Sequence, residues 1–174
     1  MAPRPDMTRG RGTQNNQGFG RSSDQSHHNG GLRQSQGSDI SSELEMIKTK
    51  KDLSELSVEE ISKADGIAEK LAKSFKGSLK TTQLRKFFDN IASNQERLKT
   101  GEWKEIESDF YMIRPNLAYA KGRRLIPEDF FVLVSLCLER VHTQGASEER
   151  IKENYDRFVA LMQALVAYSK YYER

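Results

Sequence analysis

The sequence predicts an all-α protein, a compact bundle of five or six helices that follows a disordered N-terminal tail. Two observations carry this prediction. Past residue 42, apolar side chains recur at the spacing of helices with one buried face. Residues 1–42 instead hold seven of the 12 glycines and only six apolar side chains, too few to offset the entropy of an ordered backbone. We therefore expect a tail over 1–42 and a helical-bundle domain over 43–174.

The tail itself offers only weak functional signals. Arg9-Gly10-Arg11-Gly12 and Phe19-Gly20-Arg21 are similar to disordered RNA-binding segments, but five arginines among 42 residues are a dilute charge, and we expect a solubilising tail. His27-His28 could be considered as metal ligands. Two adjacent histidines on a flexible chain lack fixed geometry and further ligands, so we expect no metal there.

The first well-marked helix begins at a capping box. In Ser57-Val58-Glu59-Glu60, Ser57 accepts a bond from the amide of Glu60, and the Glu60 side chain reaches back. We expect this helix to continue to about Phe75 and to end at Gly77 and Ser78. Its inner stripe would be Ile61, Ala64, Ala68, Leu71 and Phe75.

Two further helices follow in the middle of the chain. One begins near Thr81 or Thr82 and ends at Thr100-Gly101. Its apolar stripe is Leu84, Phe87, Phe88 and Ile91. The other shows the same spacing in Trp103, Ile106, Phe110 and Ile113. We expect Pro115 to interrupt it, because proline lacks an amide hydrogen and disfavours helix at the preceding residue. A short helical turn closed by Gly122 would then follow.

The last two helices are predicted from their first residues. Pro127-Glu128-Asp129 is a typical helix start. The apolar run Phe130–Leu138 could be a buried strand, but we prefer a helix because no neighbouring segment alternates like a partner strand. Ser147-Glu148-Glu149 begins a final helix of about 25 residues. Its inner stripe would be Ile151, Tyr155, Phe158, Met162 and Leu165.

Composition excludes several classes of protein. The single cysteine, Cys137, allows neither an internal disulfide nor a cysteine-based zinc site. No apolar run approaches the roughly 20 residues of a membrane span, and the N-terminus is unlike a secretory signal. We expect a soluble cytoplasmic protein. His142 and Cys137 are better interpreted as a helix-end partner and a buried thiol than as catalytic groups, so we expect no enzyme and no cofactor.

The distribution of charge is more informative than the net charge of +3. Residues 70–88 carry six bases and no acid, and residues 110–127 carry four bases and no acid. The remainder of the predicted domain has nine more acids than bases. Two such segments on either side of one helix can share a face, and we expect that face to attract a polyanion, most simply a nucleic acid.

The second of these segments has its own pattern, Leu117-Ala118-Tyr119-Ala120-Lys121-Gly122-Arg123. The alanines favour close packing, and Gly122 favours a sharp reversal from which the neighbouring bases would project. Tyr119 could stack on a base or pack inside, and we expect it to pack inside. We expect the same of Phe87 and Phe88, because both fall on an apolar stripe.

Two motifs together resemble the small subunit of the type III-A CRISPR (Csm) interference complex. They are Thr81-Thr82-Gln83-Leu84-Arg85-Lys86-Phe87-Phe88 and Arg114-Pro115-Asn116-Leu117-Ala118-Tyr119-Ala120-Lys121-Gly122-Arg123. The resemblance covers about residues 50–172 and excludes the tail. It implies an all-helical, non-catalytic protein that stacks with copies of itself along the duplex of crRNA and target RNA. Cleavage and signal synthesis would belong to the backbone and large Csm subunits, which would be its protein partners.

The resemblance also implies which residues contact RNA. Guide pairing would supply sequence specificity, so the protein would need only backbone contacts. The expected phosphate contacts are Arg85, Lys86, Lys121, Arg123 and Arg124, followed by Arg114, Lys80 and Lys76. The apolar members Leu84, Phe87, Leu117 and Tyr119 would hold the helices that present them.

The sequence leaves two questions open, the class of nucleic-acid-binding protein and the role of three tyrosines. The chain could be a stand-alone helical nucleic-acid-binding or adaptor protein, which would bind duplex DNA by itself with sequence preference. The tyrosines near the C-terminus could form an interface with a stacked neighbour or complete the core. These are Tyr168, Tyr171 and Tyr172.

Overall fold

The computed structural model describes residues 39–173. Within them the chain forms six helices of eight or more residues, one shorter helix and a 3-10 turn at Leu53–Glu55, with no strand. The all-α class is thereby confirmed. The helices are α1 (Ser41–Thr49), α2 (Val58–Ser62), α3 (Ile67–Ser74), α4 (Thr81–Thr100), α5 (Trp103–Gly122), α6 (Glu128–Val141) and α7 (Glu148–Tyr172). No helix in this part of the chain is long and apolar enough to cross a membrane.

Helix α1 begins close to the predicted boundary of the tail. Ile40, immediately before it, is buried in the core, as is Ile47 within it. Residues 1–38 lie outside the described part of the chain. The division at residue 42, the arginine-glycine motifs and His27-His28 therefore stay predictions.

Helix α7 is the element around which the others pack. Its 25 residues reach about 37 Å, and it packs along α3 and α4 and also contacts α2, α5, α6 and the 3-10 turn. The Ser147 side chain accepts a bond from the Arg150 amide at its start. The predicted stripe is confirmed, because all five of its members are buried: Ile151, Tyr155, Phe158, Met162 and Leu165.

Asn154 brings a polar side chain into this core. Its amide oxygen accepts from the Ser54 amide at 2.8 Å, and its amide nitrogen donates to the Val141 carbonyl at 3.1 Å. Asn154 is fully buried, and its two bonds satisfy the buried Val141 carbonyl and the partly buried Ser54 amide. It therefore fixes the 3-10 turn and the end of α6 against α7.

The capping box at Ser57 is confirmed, but the helix it begins is shorter than predicted. The chain leaves α2 after Ser62 and turns through Asp65, whose φ is 54°, before α3 begins. A Cβ on Gly66 would lie 2.7 Å from the Lys63 carbonyl oxygen, so the turn requires glycine. Ala64, predicted on the inner stripe, is exposed in this turn. The Asp65-Gly66 pair is the turn signal that the helical spacing obscured.

Helices α4 and α5 form an antiparallel hairpin joined at Gly101 and Glu102. The predicted start and end of α4 are confirmed. The predicted break at Pro115 is wrong, since α5 continues through it to Gly122. Pro115 removes one backbone hydrogen bond from the helix. Ile113 and Leu117 on either side of it are both buried, and their packing outweighs that loss.

Candidate nucleic-acid interface

The hairpin brings the two acid-free segments to one end of the bundle. Helices α4 and α5 pack against each other and are joined by only two residues, so the start of α4 and the end of α5 both lie at the end of the hairpin opposite its connection. The Phe130 ring at the start of α6 packs edge-on against Phe75 at the end of α3, with centroids 5.9 Å apart, and against Phe87 of α4 at 5.6 Å. The Lys121 ammonium lies 4.7 Å from the centroid of the Phe131 ring, which joins the end of α5 to the same place.

Seven of the eight predicted RNA-contacting residues lie at this end, which we call the basic end. They are Lys76, Lys80, Arg85, Lys86, Lys121, Arg123 and Arg124. The eighth, Arg114, lies about 12 Å from Gly122 along the axis of α5. Lys121 is half-buried, and the other seven are exposed.

Six cations of the basic end have no ion pair with any residue in 39–173: Lys76, Lys80, Arg85, Lys86, Arg123 and Arg124. Elsewhere in the bundle, by contrast, several exposed lysines pair with acids three or four residues away, as Lys48 does with Glu45 and Lys99 with Glu96. The unpaired cations leave a positive field at one end of a bundle whose remaining surface is acidic.

Two of the predicted residues are paired within the bundle. Arg114 lies 3.3 Å from Glu139, and Lys121 contacts the carboxylate of Glu128. All four side chains are more than a third exposed, and such surface pairs contribute little stability. Both cations can therefore exchange their carboxylate partner for a phosphate at small cost.

Tyr119 lies outside the core, so the prediction that it packs inside is wrong. Its side chain is 65% exposed. Because α5 is unbroken at Pro115, Tyr119 is turned about 200° around the helix from the buried Leu117 and faces solvent. Ala118 is exposed as well. Of the four apolar residues expected to hold these helices, Leu84 and Leu117 are buried and Phe87 packs against the core.

Arg123 is held by this exposed ring. Its guanidinium donates to the Tyr119 hydroxyl at 3.0 Å and lies 5.7 Å from the ring centroid. Because the two residues are four apart on one helix, this spacing was visible in the sequence. A helix broken at Pro115 would not fix the direction in which Tyr119 and Arg123 face.

The chain reverses at Arg124, whereas the sequence placed the reversal at Gly122. Gly122 is the last residue of α5, and its φ is not in the left-handed region. Arg124 adopts a φ of 57°. Its amide donates to the Lys121 carbonyl at 2.8 Å, and the Leu125 amide donates to the Ala120 carbonyl at 2.9 Å. These two bonds form a Schellman motif in which arginine occupies the place usually taken by glycine.

Lys73 has a different role from the other bases of the first segment. Its ammonium contacts Asp65 at 3.0 Å and Glu69 at 3.1 Å, and these hydrogen bonds raise its pKa. The Tyr172 hydroxyl bonds to the same Glu69 carboxylate. Lys73 therefore links the turn before α3 to the end of α7 and is less available to a ligand than Lys76 or Lys80.

Two of the three C-terminal tyrosines complete the core, whereas an interface with a stacked neighbour stays a prediction. Tyr168 and Tyr172 pack against the core, and the Tyr168 hydroxyl donates to the Ser62 carbonyl at 2.7 Å. Tyr171 is 70% exposed. A groove of about 480 Å³ lies between the α3–α4 connection and the end of α7, lined in part by Lys76, Lys80 and Glu173.

The two side chains considered for catalysis, Cys137 and His142, both pack against other groups of the bundle. Cys137 is buried, as predicted, and burial raises the pKa of its thiol to about 12. His142 follows the end of α6, stacks on the Trp103 ring and lies 3.0 Å from the Tyr111 hydroxyl. In the described part of the chain, no three histidine, cysteine or acidic side chains are grouped to hold a metal ion.

Comparison with known proteins identifies relatives of the chain. The model of the family described as Csm2 Type III-A matches residues 58–174. A protein of Streptococcus thermophilus described as "CRISPR system Cms protein Csm2" is 29% identical over 114 residues, which cover 64% of this chain and 89% of that protein. No solved structure matches the chain.

Proposed function

The chain belongs to the Csm2 family, the small subunits of type III-A CRISPR complexes, and from this we propose that it binds the duplex of crRNA and target RNA through its basic end. In this proposal several copies stack along the duplex in the cytoplasm, beside the backbone and large Csm subunits. The subunit holds the assembly and its RNA, and other subunits perform the cleavage. It needs neither cofactor nor metal for this task.

The observation that carries the proposal is the meeting of two acid-free segments at one end of the bundle. Six of the seven cations at the basic end have no ion pair within residues 39–173 and are exposed, so they can approach phosphates without breaking an internal ion pair. Arginine at positions 85, 123 and 124 suits two-pronged contacts with phosphate oxygens. None of these contacts reads bases, which agrees with specificity supplied by guide pairing.

The phosphate contacts can be tested by replacing Arg123 and Arg124 with alanine. RNA affinity of the assembled complex is measured over a series of salt concentrations. Each lost phosphate contact is expected to flatten the salt slope by about 0.7 to 0.9 units. Both side chains are exposed, so the circular dichroism spectrum is expected to stay unchanged.

The matched control removes two exposed lysines away from the basic end, Lys48 and Lys99. Each is paired with a glutamate, and Lys99 lies at the opposite end of α4 from Lys80. This double variant has the same net charge as the arginine double variant but is expected to keep the wild-type salt slope. Equal slopes for all three proteins would contradict the proposed function. Sequence-preferring binding of duplex DNA by the free protein would instead support a stand-alone DNA-binding protein.

A further inference from the structure

Tyr119 is an exposed aromatic ring surrounded by positive charge. It is 65% exposed, and residues 110–127 contain no acid. Lys121, Arg123 and Arg124 follow it within five residues. A single exposed tyrosine is common on protein surfaces, but the Arg123 guanidinium over this ring and the acid-free segment around it favour a polyanion as its ligand.

The ring is also held in place before any ligand arrives. Ile113 and Leu117 anchor the end of α5 in the core, and the Schellman bonds at Arg124 fix where the helix ends. The bond from Arg123 to the Tyr119 hydroxyl orients the ring on this helix. A ring fixed in this way loses little conformational entropy when a ligand stacks on it.

We propose that Tyr119 stacks on an unpaired nucleobase of the bound RNA, while Arg123 and Arg124 hold the neighbouring phosphates. This inference rests on the proposed function and adds a ligand class to it. Aromatic side chains offer a face to any base, so the contact is independent of sequence. In the interior of an uninterrupted duplex every base face is covered by its neighbours, so away from the duplex ends the ring can stack only where a nucleotide is unpaired.

The proposal predicts a preference that phosphate contacts alone do not produce. The full-length protein is titrated into two RNA probes of equal charge. One is a flush duplex, and the other carries a single unpaired 2-aminopurine within the same duplex. Tyr119→Ala is expected to raise the Kd for the probe with the unpaired base about tenfold and to abolish the quenching of 2-aminopurine fluorescence. The Kd for the flush duplex is expected to change less than twofold.

Three variants separate stacking from other roles of the side chain. Tyr119→Phe loses the bond to Arg123 but keeps the ring, and Tyr119→Trp enlarges it, so both are expected to retain quenching. Tyr171→Ala removes a tyrosine of similar exposure at the end of α7 and is expected to match the wild type. Circular dichroism checks that each variant is folded.

Several outcomes would overturn the stacking proposal. One is an unchanged Kd for Tyr119→Ala, and another is an equal loss for both probes. Loss of copurification with Csm subunits at unchanged RNA affinity would assign the ring to a protein contact. If Arg123→Ala/Arg124→Ala flattens the salt slope while Tyr119→Ala has no effect, only the stacking proposal fails. If neither variant changes RNA binding, the proposed function fails as well.

Discussion

Arg124→Gly is expected to stabilise the fold and to weaken RNA binding at the same time. Arg124 has a φ of 57° in the Schellman motif after α5. A side chain in the left-handed region costs about 1–2 kcal/mol, which glycine avoids. Glycine loses about 0.5–1 kcal/mol more backbone entropy on folding. The balance is a gain of about 0–1.5 kcal/mol, with a midpoint of about 0.75 kcal/mol, in the free energy of unfolding.

Thermal unfolding followed by circular dichroism measures the first effect. For a domain of this size, such a gain raises Tm by about 2–4 °C. The second effect is measured as the RNA affinity over a salt series. Loss of one phosphate contact is expected to flatten the slope by about 0.7 to 0.9 units.

Arg124→Lys is the matched control, because it keeps both the charge and the strained backbone. It is expected to leave Tm and the salt slope close to those of the wild type. A fall in Tm for Arg124→Gly would refute the argument from backbone strain. An unchanged salt slope for that variant would refute the role of Arg124 at a phosphate.

Two further predictions concern the fold. Asn154→Ala leaves the Ser54 amide and the Val141 carbonyl without their partner, so urea denaturation is expected to show a loss of about 2–4 kcal/mol. The pKa of Glu69 is held at about 2 by the Tyr172 hydroxyl, a backbone amide and a lysine. This lowered pKa stabilises the folded protein at pH values above 4.5, and the contribution is lost as pH falls to about 2. The difference in free energy of unfolding between the wild type and Glu69→Gln is therefore expected to disappear over that range.

Each of these predictions has a control at an exposed position. Asn90→Ala on α4 is expected to change stability by less than about 0.5 kcal/mol. A loss below about 1 kcal/mol for Asn154→Ala would contradict the role given to its two bonds. Glu59→Gln on α2 is expected to change the free energy of unfolding at pH 7 by less than about 0.5 kcal/mol. A deficit of Glu69→Gln that is constant from pH 5 to pH 2 would contradict the linkage.

The helices were predictable because their signals are local. The capping box at Ser57, the stripe of α7 and the buried helix after Pro127 each depend on residues a few positions apart. The errors arose where packing outweighed local preference. Pro115 disfavours helix, yet the burial of Ile113 and Leu117 carries α5 through it.

The error at Pro115 also reversed the prediction for Tyr119. A broken helix would have left its direction undetermined, whereas an unbroken one turns it about 200° from Leu117. The left-handed backbone of Arg124 likewise depends on tertiary structure, because it follows from the residue at which α5 ends. The local sequence offered Gly122 as the simpler place for the reversal.

The sequence by itself determined the helical class, the two acid-free segments and the residue types that suit phosphate. Only the tertiary structure decided that the segments meet. Lys86 and Lys121 are far apart in the chain, and they lie at one end of the bundle because α4 and α5 pair as a hairpin, Phe130 packs on both Phe75 and Phe87, and Lys121 contacts the Phe131 ring. Those contacts depend on how apolar faces from distant segments fit together, which no local pattern encodes.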